Sequence, residues 1–208
     1  MQQILCYGDS NTWGLIPGTK ERYNWGVRWT SLLQQKFGSE NVRVIEEGLC
    51  GRTTKFEDAS RENRNGLKSL PLVLETYSPL DAAVIMLGTN DCKSIYRLNA
   101  AQIAACLSEC VDEIVKFVPA DRILIVSPIH LGENVGEEGF DPEFDDISVV
   151  TSHQLEEAYR SLAAEKNISM IAASDYAEPS EVDREHMTPN GHAKLAEAVY
   201  QALSSVIK

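Results

Sequence analysis

Residues 7–14 read YGDSNTWG and continue an apolar run, residues 4–7, that predicts a first buried strand. A serine at such a strand-to-loop junction, flanked by small and turn-forming residues, can expose its hydroxyl group. In parallel α/β sheets the carboxyl ends of the strands border the crevice where ligands bind. Ser10 is therefore a candidate nucleophile, although the same residues also suit a plain tight turn capped by Asp9 and Ser10.

The rest of the chain continues this alternation of short apolar runs with longer segments of helical periodicity. Strands are predicted at residues 4–7, 42–45, 82–87, 123–127 and 168–172. Helices are predicted at residues 27–37, 61–76, 100–117, 153–166 and 189–207. Five successive βα units predict a three-layer α/β sandwich around a five-stranded parallel sheet. Because no repeat or linker interrupts them, residues 1–208 are predicted to form a single domain.

Composition narrows the classes of function. The 208 residues carry a formal net charge of −12, which argues against nucleic acid and anionic membrane surfaces as partners. No apolar run is long enough to span a bilayer, and no signal peptide precedes the first strand, so we expect a cytoplasmic protein. The five cysteines have neither disulfide nor zinc-site spacing, and we expect reduced thiols and no metal.

A candidate catalytic base lies near the other end of the chain. Residues 183–186 read DREH and stand just before the last predicted helix. The carboxylate of Asp183 can curl back to accept the Nδ1–H of His186, which leaves Nε2 free to take a serine proton. His192 is the competing histidine, but it falls inside the predicted helix, where a structural histidine is the commoner outcome.

Two other loops at the same edge of the predicted sheet offer donors for an oxyanion. Gly51 follows the second strand and can present an unhindered backbone N–H. Asn90 follows the third strand and can present a side-chain N–H. Each is also compatible with an ordinary turn, but all these motifs would converge on one rim. Trp13, close to Ser10, is a candidate wall of an acyl pocket.

These motifs together resemble the four sequence blocks of the SGNH, or GDSL, hydrolases, in the same order and at the same sheet positions. The blocks are GDS at residues 8–10, Gly51, GTND at residues 88–91 and DREH at residues 183–186. The resemblance implies a flavodoxin-like α/β/α fold, a serine nucleophile, and no metal or other cofactor. It implies a triad of Ser10, Asp183 and His186 and an oxyanion hole of Ser10, Gly51 and Asn90.

A narrower resemblance points to the arylesterase and acyltransferase branch, which acts on short acyl esters and often forms oligomers. The similar stretches are residues 8–14, 28–29, 48–54, 65–66 and 86–91. We therefore expect a serine esterase for small esters, able to hydrolyse or transfer the acyl group, and a homo-oligomer. Asn11 stands where many members have Leu, a difference that we expect to alter only the packing of the turn.

Two alternative functions stay open at this stage. One is a carbohydrate acetylesterase of the same fold. The other is a flavodoxin-like module that binds a nucleotide, which is disfavoured because the chain lacks both the Gly-x-Gly-x-x-Gly and the Walker signatures.

One long connection has no evident periodicity. Residues 130–151 contain seven acidic residues and no Lys or Arg, and they follow the fourth predicted strand. Long loops of this kind are commonly functional. The segment is either a solvated acidic loop or a lid or oligomer contact anchored by Phe140 and Phe144.

Overall fold

The computed structural model describes residues 1–207 and is built around a five-stranded sheet. All strands are parallel and lie in the order β2-β1-β3-β4-β5. The strands are β1 Gln2–Gly8, β2 Val42–Gly48, β3 Ala82–Met86, β4 Ile123–Ser127 and β5 Ser169–Ala172. The helices are α1 Ser10–Trp13, α2 Trp29–Phe37, α3 Gly66–Tyr77, α4 Ala100–Ile114, α5 Asp146–Lys166 and α6 Pro189–Leu203.

Helices cover both faces of the sheet because successive strand residues point to opposite sides. In β1, Ile4 and Cys6 belong to an apolar cluster that includes residues of α2 and α6. Leu5 and Tyr7 belong to a second cluster with residues of α3, α4 and α5. The three-layer α/β/α architecture predicted from the sequence is therefore confirmed.

Several predicted helix boundaries are wrong, and capping explains the two largest errors. Helix α5 begins at Asp146 rather than at residue 153, because Asp145 caps it in a reciprocal capping box with Ser148. Residues 146–151 of the predicted acidic loop are consequently helical. Helix α3 begins at Gly66 rather than at residue 61, because the Asn65 side chain accepts a hydrogen bond from its first turn.

The strand order fixes where a ligand can bind. The chain steps from β1 to β2 on one side and then crosses back from β2, past β1, to β3 on the other side, so the order reverses beside β1. In such sheets the crevice opens beyond the carboxyl ends of the strands at this reversal. The loops that follow β1, β2 and β3 therefore border the site. Within residues 1–207, no helix combines the length and apolar character needed to cross a membrane.

Candidate active site

Ser10 is the first residue of the short helix α1, and only Asp9 separates it from the end of β1. The Asp9 side chain accepts a 3.0 Å hydrogen bond from the backbone N–H of Asn11 and so caps this helix. The turn needs a glycine at position 8, because a Cβ there would lie 2.1 Å from Oγ1 of Thr12. The turn thus brings α1 tightly against the strand end and presents Ser10 at the sheet edge.

Ser10, His186 and Asp183 form a continuous chain of hydrogen bonds. Nε2 of His186 lies 2.8 Å from Oγ of Ser10, and Nδ1 lies 2.8 Å from Oδ2 of Asp183. The other oxygen of Asp183 accepts the backbone N–H groups of Glu185 and His186, at 3.2 and 3.1 Å. The carboxylate therefore curls back on its own loop, and this contact holds the imidazole with Nε2 towards the serine.

Burial and neighbouring carboxylates act in opposite directions on the pKa of His186. Its burial lowers the pKa, but the negative charges of Glu185, Asp183 and Asp9 outweigh this and raise the pKa above the ordinary histidine value. The pKa of Asp183 is lowered, because its hydrogen bonds and the His186 charge outweigh the effect of burial. Burial raises the pKa of Glu185, and nearby Asp141 adds to the rise.

The Asn11 side chain forms two hydrogen bonds to the loop that carries His186, which the sequence did not predict. Its Nδ2 donates to the carbonyl oxygen of Glu185 at 3.3 Å, and its Oδ1 accepts the N–H of Met187 at 3.0 Å. The side chain thus holds the backbone on both sides of His186. The expectation that Asn11 affects only turn packing is wrong, since its two hydrogen bonds join the serine loop to the histidine loop.

The three predicted oxyanion donors, Ser10, Gly51 and Asn90, follow three different strands and meet at one cavity. Gly51 has a φ of 82°, a left-handed backbone conformation that favours glycine over any residue with a side chain. Within residues 1–207, the backbone N–H groups of Ser10 and Gly51 have no hydrogen-bond acceptor. Asn90 begins a 3-10 turn in the loop that follows β3. All three residues line one cavity.

Asp91 is a structural residue of this site that the sequence analysis did not single out. Its two carboxylate oxygens each accept the backbone N–H of Thr54 at 3.0 Å, and Thr54 Oγ1 donates as well. This contact ties the loop that carries Gly51 to the loop that carries Asn90. Its position directly after Asn90 in the GTND block is the signal that could have revealed it.

The cavity beside Ser10 has a volume of about 470 Å³, which suits a small substrate. Trp13 contributes to its wall, as expected from the sequence. The complete lining is Ser10, Trp13, Leu15, Thr19, Lys20, Cys50, Gly51, Arg61, Asn90, Lys93, Asp141, Glu185 and His186.

The acidic segment, residues 130–151, is held beside this cavity by contacts at two points. Gly132 donates to the carbonyl oxygen of Arg184 at 2.8 Å, next to the histidine loop. At a second point, the carboxylate of Glu143 lies 2.6 Å from Nζ of Lys93, which lines the cavity. Phe144 is buried in the core, while Phe140 packs under the Arg184 guanidinium at 4.3 Å. Both predicted apolar anchors therefore make contacts, and the segment forms part of the cavity rim.

His192 is a core histidine, as its position in the last helix indicated. It is fully buried, and its Nδ1 accepts the backbone N–H of Trp29 at 3.3 Å. Burial lowers its pKa to about 4, so the ring is neutral. His192 does not line the cavity.

Sequence comparison assigns the class of protein. Residues 6–194 match the GDSL-like lipase/acylhydrolase family. The match covers most of the chain, and the chain belongs to this family. Among curated protein sequences, none matches it.

Several solved structures that are similar to this chain are structures of esterases. The aryl esterase of M. smegmatis is 33% identical, with all of both chains covered and a TM-score of 0.92. Est24, a carbohydrate acetylesterase from Sinorhizobium meliloti, is 30% identical over all of both chains, with a TM-score of 0.92. A carbohydrate acetylesterase family member from Sinorhizobium meliloti is 35% identical, covering 98% of this chain and 100% of its own, with a TM-score of 0.86. These similarities confirm the SGNH fold and an esterase family.

Proposed function

We propose that this protein hydrolyses esters of short acyl groups through an acyl-serine intermediate, with Ser10, His186 and Asp183 as its triad. The observation that carries the proposal is the pair of 2.8 Å contacts that link the three side chains. A free serine hydroxyl is a weak nucleophile and needs an adjacent base held by a third group.

Acylation begins with attack of Oγ of Ser10 on the ester carbonyl carbon, while its proton passes to Nε2 of His186. Asp183 stabilises the resulting imidazolium. The carbonyl oxygen becomes an oxyanion, which the N–H groups of Ser10, Gly51 and Asn90 stabilise. When the tetrahedral intermediate collapses, the bond to the alcohol oxygen breaks, and Nε2 gives its proton to that oxygen.

Deacylation repeats these steps with water. A water molecule attacks the carbonyl carbon of the acyl-serine and loses its proton to Nε2 of His186. The bond between the acyl group and Oγ then breaks, the proton returns to Oγ, and the carboxylic acid leaves. An alcohol that replaces water in this step would instead accept the acyl group. We propose such transfer as a second outcome, supported by the acidic segment that borders the cavity.

A carbohydrate acetylesterase is the alternative that a specific observation favours. The cavity is lined by several charged side chains, which suit a hydroxyl-rich alcohol better than an aliphatic one. Two of the similar structures are a carbohydrate acetylesterase and a member of that enzyme family.

The two buried histidines provide a matched test of the proposed base. His186→Ala is expected to lower turnover of p-nitrophenyl acetate by several orders of magnitude, because triad members act as a unit. His192→Ala removes a histidine of similar burial outside the cavity and is expected to retain most of the turnover. The proposal fails if His192 is the essential histidine.

A further inference from the structure

Glu185 is a buried carboxylate that faces the candidate active site. The residue is only 7% exposed, and it lines the same cavity as Ser10 and His186. Its Oε1 lies 3.7 Å from Nε2 of His186, too far for a hydrogen bond. Among the described residues, no Lys or Arg forms an ion pair with it. The His186 imidazole is its nearest charged group, but in the described part of the chain no group donates a hydrogen bond to this carboxylate. Burying a carboxylate without a hydrogen-bond donor is costly, so a donor that this cavity admits is expected to complete it.

Lys20, Arg61 and Lys93 line the cavity, and within residues 1–207 none of them forms an ion pair with Glu185. Lys20 is exposed, and the other two are paired with other carboxylates. Nζ of Lys93 lies 2.6 Å from Glu143. The Arg61 guanidinium lies 3.0 Å from Asp58 and 3.3 Å from Glu143.

The side of the cavity near Glu185 carries a second carboxylate, that of Asp141. Its Oδ1 accepts only a backbone N–H, that of Glu143 at 2.9 Å. This wall therefore carries two carboxylates.

The position of Glu185 places this wall beside the alcohol part of the ester. In the proposed mechanism, Nε2 of His186 protonates the leaving alcohol oxygen, which must approach to about 2.6–3.2 Å. The Glu185 carboxylate, 3.7 Å from the same nitrogen, lines the same cavity, so we expect it to lie near that oxygen. In many alcohols a second hydroxyl or amine is attached to the carbon next to the one that bears the ester oxygen. Such a donor lies about 3 Å from that oxygen and is therefore within reach of Glu185.

We propose that Glu185 is a specificity-determining residue that accepts a hydrogen bond from a hydroxyl or protonated amine on the alcohol part of the ester. This inference rests on the proposed acyl-serine mechanism. The substrate class is acyl esters of vicinal diols, polyols or amino alcohols. An ester of a plain alkanol would leave the buried carboxylate without a hydrogen-bond donor, which is the situation that polar sites reject most strongly.

The test compares pairs of acetate esters that are nearly equal in shape. In the first pair, 2-hydroxyethyl acetate carries a hydroxyl where propyl acetate carries a methyl group. In the second, 2-(dimethylamino)ethyl acetate carries a protonated nitrogen where 3-methylbutyl acetate carries a carbon. The two pairs distinguish the hydroxyl from the amine as the source of the donor. The quantity measured is the kcat/KM of the ester with the donor divided by the kcat/KM of its hydrocarbon analogue. Any effect of a substitution on the catalytic base cancels in this ratio.

The proposal predicts a ratio of roughly tenfold or more for at least one pair in the wild type, the scale of one hydrogen bond to a charged group. Glu185→Leu is expected to reduce that ratio to near one. Glu185→Gln keeps the shape, removes the charge and is expected to abolish preference for the amine. Glu181→Gln makes the same charge change at an exposed residue of the same loop and is expected to leave the ratios unchanged.

Two results would overturn the assignment of Glu185. One is a pair of ratios near one in the wild type, and the other is a high ratio that survives Glu185→Leu and Glu185→Gln. Both are compatible with an esterase, because propyl acetate would still be hydrolysed. Failure to hydrolyse any of the four esters would instead contradict the proposed function itself.

Discussion

The side-chain amide of Asn90 donates a 3.2 Å hydrogen bond to the carbonyl oxygen of Arg52, the residue that follows Gly51. This bond uses one of the two N–H groups of the amide and fixes its orientation. The second N–H is left for a ligand in the cavity that Asn90 lines. This hydrogen bond therefore joins the loop that carries Gly51 to the loop that carries Asn90, and it fixes the two proposed oxyanion donors relative to each other.

Asn90→Ala is expected to lower kcat by roughly 10²–10³-fold, the scale for one lost oxyanion donor. KM should change little, because this hydrogen bond strengthens mainly in the transition state. Steady-state kinetics with a short acyl ester separates the two constants. A change confined to KM would mean that Asn90 binds the ground-state substrate instead.

Asn11→Ala removes both hydrogen bonds that hold the backbone around His186. We expect kcat to fall by roughly 10–100-fold, because small displacements of a catalytic group have costs of this order. The measurement is kcat at a temperature well below the unfolding midpoint of the variant, so that loss of folded protein does not contribute. Unchanged kcat in the folded variant would show that Asn11 does not position His186.

The contrast between Ser10 and Asn11 shows what the sequence could reveal. Ser10, Asn90, Asp183 and His186 lie in short motifs whose chemistry is local. Apolar runs placed the first two beyond strand ends, and the last predicted helix placed the other two just before its start. The partner of Asn11 lies 176 residues away, at Met187, and no local pattern reports such a contact. The start of α5 was missed for another reason, since Asp145 is one carboxylate among many in the acidic segment.

Activity is expected to rise with pH, with a midpoint above the ordinary histidine value of about 6.5. Only the neutral imidazole can accept the proton of Ser10, and the raised pKa of His186 keeps the ring protonated to higher pH. Glu185→Gln removes one of the charges that raise this pKa and should move the midpoint to lower pH. The check is kcat/KM against pH, with Glu181→Gln as the control. A midpoint that does not move in Glu185→Gln would contradict the electrostatic account.

Trp13 is expected to limit the length of the acyl chain. The wild type should hydrolyse acetyl and propionyl esters faster than octanoyl esters, because the indole occupies part of the cavity wall. Trp13→Ala should shift the optimum to longer chains, whereas Trp25→Ala changes an exposed indole outside the cavity and should not. A series of p-nitrophenyl esters measures this optimum. A wild-type rate that peaks at octanoyl would argue against the role of Trp13.

The most direct measurement of the central claim is the position of a covalent label. A fluorophosphonate probe reacts with an activated serine, and mass spectrometry of the digested protein locates the modified residue. The account predicts one label, on Ser10, with no labelling of Ser10→Ala and much slower labelling of His186→Ala. A label on another residue, or an unlabelled protein that still hydrolyses short acyl esters, would contradict it.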